Sequence, residues 1–105
     1  MGNRSFKSIA RLIRAKRQNH PQKFSQSALS DLLGYKNGQF ISNVERGLCN
    51  IPLKMLGKVC EILHIGPQEM KQAMIVDFEI TLENYLARPG KENLSGDAMG
   101  IGQDL

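Results

Sequence analysis

Gln39 and Asn43 stand four residues apart in the segment QFISN, so on a helix they share one face. Each carries an amide that donates and accepts at once, which matches the adjacent N6 donor and N7 acceptor on the edge of adenine. Lys36 and Arg46 flank the segment, and Gln26 and Ser27 precede it; these are groups suited to holding phosphates, which sets register and affinity without reading sequence. Gly38 lets a helix start approach a partner closely. Phe40 either meets a thymine methyl or is buried beside Ile41, with core packing favoured. Asn37 is read as a helix cap that also touches backbone. Gly38, Gln39, Phe40 and Asn43 are thus the candidate base readers, and Gln26, Ser27, Lys36, Asn37 and Arg46 the candidate backbone contacts.

Other chemistry lacks its parts. No nucleophile lies beside a base, no carboxylate pair is assembled, and no metal-ligand spacing occurs, so an enzyme, a cofactor and a metal are not expected. His20 sits next to Pro21 in a turn and His64 ends an apolar helix. Cys49 and Cys60 have neither paired spacing nor histidine neighbours, and they are read as free thiols. Glu79 and Glu83 form a solvated helical face.

The elements that must position the amides follow from periodicity. From Ser5 to Gln18, Phe6, Ile9, Ala10 and Ile13 mark one face of a first helix, which Asn19, His20 and Pro21 end. Ser25 caps a short second helix, with Phe24 as a staple on Leu29, a stripe of Ala28, Leu29, Leu32 and Leu33, and Gly34 as its left-handed exit. A third helix runs from about Asn37 to Gly47 with Ile41 and Val44 inward. A fourth follows Pro52 with Leu56, Val59, Cys60 and Leu63, and ends around His64.

Gly66 and Pro67 restart the chain into a long fifth helix over 67–87. Met74, Val76, Phe78, Ile80 and Leu82 also alternate as in a strand, but the i, i+4 series continues on both sides, which favours helix. Apolar residues surround more of this helix than one core face requires, so Met74, Phe78, Leu82 and Tyr85 are expected to form a homodimer contact. The glycine-rich segment 88–105 has few apolar residues to offset its ordering entropy and is expected to be disordered. The fold class is therefore all-α, a five-helix bundle.

Residues 1–60 hold 11 Lys and Arg against Asp31 and Glu45, a balance of +9, while 61–105 hold three against eight acids, a balance of −5. The basic half contains the two short helices and the tight turn Gly34 to Asn37 between them, an arrangement that presents its second helix to a DNA groove. The run FSQSALSDLLGYKNGQFISNVERGLCNIPLKMLGKVCEILHIGPQEM, from Phe24 to Met70, resembles the helix-turn-helix domain of the lambdoid-phage repressor and Cro family, also called the XRE family. With helix one included, the likeness covers roughly residues 6 to 70. Its strongest match is Ile41 to Gly47, ISNVERG, similar to the end of that family's recognition helix and its glycine stop.

The resemblance implies a structural ion pair between Arg17 and Glu45 that ties helix one to helix three, and a contact of Gln26 with DNA backbone. The turn from Gly34 to Ile41 is one residue longer than the commonest family spacing, which shifts the expected start of helix three. What it implies overall is a small transcriptional regulator that binds double-stranded DNA, and the homodimer expected through helix five adds a palindromic operator. An antitoxin-like module that binds a protein partner, with or without DNA, is the alternative. No apolar run is long enough to span a bilayer, and the first residues lack the apolar core of a secretory signal, so a cytoplasmic location is expected.

Overall fold

The computed structural model describes residues 4–87. The expectation of disorder over 88–105 lies outside the described residues. Among those described there are five α-helices and no strand: α1 Lys7–Asn19, α2 Gln26–Leu32, α3 Gln39–Glu45, α4 Leu56–Leu63 and α5 Pro67–Leu86. A single 3₁₀ turn, Leu53–Met55, leads into α4. The strand-like alternation in the fifth segment is overridden because its helical period meets the core at Met70, Ala73, Met74, Asp77 and Thr81.

One core joins the elements: Ile9 and Ile13 of α1, Leu29 and Leu33 around α2, Ile41 and Val44 of α3, Ile51, Val59 and Leu63 around α4, and Ile65 and Met70 at the entry to α5. Their spacing is the reason these segments are helices, since each short helix gains more from burying one stripe than from its own propensity. The stripe of α2 is rotated from the one expected. Leu32 is 46% exposed, and Ser30 is fully buried in its stead. A leucine at that position is displaced because the hydroxyl of Ser30 has a task inside: it accepts from the Ile41 amide at 3.3 Å, which serves the first turn of α3.

Chain turns follow local chemistry. Ser25 accepts from the Ala28 amide at 2.9 Å and so caps α2. Gly34 and Gly47 adopt φ of +91° and +75° after α2 and α3, a region that glycine enters at little cost. Helix α1 begins at Lys7, two residues later than its apolar pattern suggests, and the residue before it, Phe6, supplies no side-chain cap. The missing cap comes from α5. Asp77, buried, accepts the Ser8 amide on Oδ1 at 2.9 Å and the Ile9 amide on Oδ2 at 3.0 Å, while Ser5 donates its own amide to Thr81 Oγ1 at 2.8 Å. The first and last helices are thereby joined by a polar clamp as well as by apolar packing.

Candidate nucleic-acid interface

Helix α3 is the element on which the candidate readers sit. Ile41 and Val44 are fully buried beneath it, and α1 and α2 pack against it from below. Its opposite side keeps Gln39 exposed and Asn43 half-buried. The two amides meet: Gln39 Nε2 donates to Asn43 Oδ1 at 2.9 Å. That bond occupies one acceptor and one donor and leaves Gln39 Oε1 and Asn43 Nδ2 for another molecule.

The base of α3 is fastened by charge. Arg17 Nε donates to Glu45 Oε2 at 2.6 Å and Arg17 Nη2 to Glu45 Oε1 at 2.9 Å, a bidentate pair. Arg17 Nη1 reaches the Phe24 carbonyl at 3.0 Å, so the same guanidinium also holds the entry to α2. The Glu45 side chain is only 3% exposed and that of Arg17 13%. Hydrogen bonding to Glu45 raises the Arg17 guanidinium above its ordinary range, against the opposing effect of burial. The expected structural pair is therefore present.

Several neighbouring residues have partners within the protein. Gln26, expected to touch DNA backbone, has a partner inside the protein: its Nε2 donates to Glu45 Oε1 at 3.0 Å, completing the solvation of a buried carboxylate. Helix α3 starts at Gln39, with Gly38 in the capping position; Asn37 lies one residue earlier and caps from there, its Oδ1 accepting the Gln39 amide at 2.9 Å. Gly38 also has a task within the fold. A Cβ there would lie 2.9 Å from Ser27 Oγ and 3.2 Å from the Ser27 amide nitrogen, so the glycine lets α3 close onto α2. Phe40 is half-buried, and its ring stacks on Tyr35 at 4.0 Å and 14°, so it braces the turn, in keeping with the favoured packing role.

Ser27, Lys36 and Arg46 are exposed, and so are Lys23 and Lys54. Because Glu45 is neutralised from within, Asp31 is the one acid left at the surface of the basic half, among the described residues. Of the dimer candidates, Met74 packs on the core, while Phe78, Leu82 and Tyr85 are exposed.

Pattern reading missed the clamp of Asp77 and Thr81, the Ser30 hydroxyl and the partnership of Tyr35 with Phe40. A signal existed for the first, since two polar residues occupy the inward positions of an otherwise apolar helical stripe. His20 and His64, distant in sequence, face each other with ring centroids 4.7 Å apart, and His20 is also 4.6 Å from Phe24. No family model matches the chain, and neither a curated protein nor a solved structure matches it.

Proposed function

We propose that this chain binds double-stranded DNA, with α2 and α3 acting as a helix-turn-helix of the repressor and Cro-like kind and α3 lying in the major groove. The observation that carries this reading is the two-sidedness of α3: apolar and pinned by Arg17 and Glu45 beneath, open and bearing the amides of Gln39 and Asn43 above. Lys36 and Arg46, exposed at either end, are placed in sequence to hold phosphates on both sides of the read bases. The chain works as a small transcriptional regulator in the cytoplasm. As a homodimer paired through α5 it sets two recognition helices about 34 Å apart on successive turns of a palindromic operator.

Selection of bound sequences from a random duplex library, followed by binding at several salt concentrations, tests the proposal. It expects a symmetric consensus and an affinity that falls steeply with salt as counterions are released. Failure to retain any duplex at low salt overturns it.

The exposed apolar side chains of α5, Phe78 at 60% and Leu86 at 79%, favour a protein partner in some form. If duplex binding is absent while a protein complex forms, the chain is an interaction module of the antitoxin kind.

A further inference from the structure

The two halves of α5 differ in shape. Its N-terminal half borders an apolar groove of about 670 Å³ against α4, lined by Leu56, Gly57, Cys60, Met70, Met74 and Phe78 among others. Its C-terminal half instead projects Leu82, Tyr85 and Leu86 into solvent. One half is hollow and the other raised.

The geometry points to an antiparallel pairing of α5 between two copies of this chain, in which the raised end of each helix fills the α4–α5 groove of the other. A parallel pairing brings the two raised ends together and leaves both grooves open. The antiparallel one, centred near Phe78, covers both grooves by a single two-fold operation, with Leu82 of each copy near Met74 of the other and Leu86 near Met70.

Area and charge agree with a second copy as the occupant. Ile75, Phe78, Leu82, Tyr85 and Leu86 keep between 40% and 79% of their surface exposed. That is on the order of 500 Å² per copy, so self-pairing brings the buried side-chain surface close to the roughly 1,200 Å² at which stable interfaces begin. Lys71, on the rim of the groove, then faces the negative C-terminal end of the other copy's helix, which also carries Glu83. The interface thus extends to α4, through Leu56, Gly57 and Cys60.

This inference rests on the reading of α5 as a homodimer face and is independent of DNA. Cysteine cross-linking in the full chain tests it, in a background with Cys49→Ala and Cys60→Ala whose melting is checked first. A Cβ at Gly57 meets nothing within 4 Å and Leu86 is exposed, so Gly57→Cys and Leu86→Cys both keep the fold. Under mild oxidation a cross-linked dimer is expected when the two variants are mixed, and is lost when either is oxidised alone. In an antiparallel pair the two Leu86 positions lie about 24 Å apart, too far for a disulfide.

Self-cross-linking of Leu86→Cys means a parallel pair and overturns the arrangement. So does a dimer by sedimentation that cross-links in no combination, although the homodimer reading then survives. A monomer at every concentration overturns both and leaves the groove to another occupant, such as residues 88–105 of the same chain.

Discussion

Asp77 caps Ile9: a carboxylate in the middle of the last helix accepts the amide of the third residue of the first helix at 3.0 Å. The same group takes the Ser8 amide at 2.9 Å and the Ser5 hydroxyl at 3.3 Å, so three donors that would otherwise be stranded at a helix start are satisfied from 68 to 72 residues away. Replacing Asp77 with Ala removes an N-cap and leaves those donors buried. The expected loss is about 2 to 3 kcal/mol, read as a lower midpoint in urea, with Asp77→Asn milder because it keeps one acceptor oxygen. An unchanged midpoint in both variants shows that α5 docks without the clamp.

Arg17→Ala leaves Glu45, buried and charged, with Gln26 as its remaining side-chain donor. Breaking one side of such a pair costs roughly 3 kcal/mol, while replacing both partners by Met is expected to recover much of it. Thermal melts of the two single variants and the double variant measure the coupling. Additive losses mean that the two side chains act independently, contrary to the bidentate geometry.

Gly38→Ala separates α3 from α2. Its φ of −72° is ordinary for any residue, so the expected loss of about 1 to 3 kcal/mol comes from the contact with Ser27 and not from backbone strain. Combining it with Ser27→Ala removes the 2.9 Å contact but not the one at 3.2 Å, and so restores the melting temperature only in part. Full rescue by the second change assigns the whole effect to the hydroxyl.

Gln39→Ala bears on the proposed function. It is expected to weaken binding to the selected operator by about 1 to 3 kcal/mol and to leave random duplex nearly untouched, as measured by titration at fixed salt. Equal weakening on both DNAs removes Gln39 from base reading.

Burial pushes the thiols of Cys49 and Cys60 up, and Glu69 adds to the effect at Cys60. A raised value means less thiolate at a given pH. Alkylation of the folded protein near neutral pH is therefore expected to be slower than that of an unfolded control, and to accelerate only as the pH rises beyond the usual thiol range. Rates equal to those of the control mean that both sulfurs are open to solvent.

Five helices and most of the core were legible in the sequence, since Ile9, Ile13, Leu29, Ile41, Val44, Val59 and Leu63 repeat at helical spacing and are buried where that spacing puts them. The α2 stripe and the α1 start were not, for a common reason. Ser30, Asp77 and Thr81 are polar, and periodicity counts apolar residues, so a buried hydroxyl or carboxylate that serves a distant amide is invisible until the elements come together. The same limit hid the internal partner of Gln26, since Glu45 lies 19 residues on. Gly38 was recognised as a position of close approach, but not what approaches it. Arg17 and Glu45 were found through the family likeness rather than through spacing.

The bond between Gln39 and Asn43 makes the two side chains one unit. Each fixes the other's orientation before any ligand arrives, so if α3 reads bases, neither position has a preference of its own. Changing Asn43 frees Gln39 to swing, and the outcome is a different favoured sequence more than a weaker grip. On the proposed reading, a single substitution at position 43 therefore redirects the chain to another duplex sequence while Lys36 and Arg46 stay unchanged.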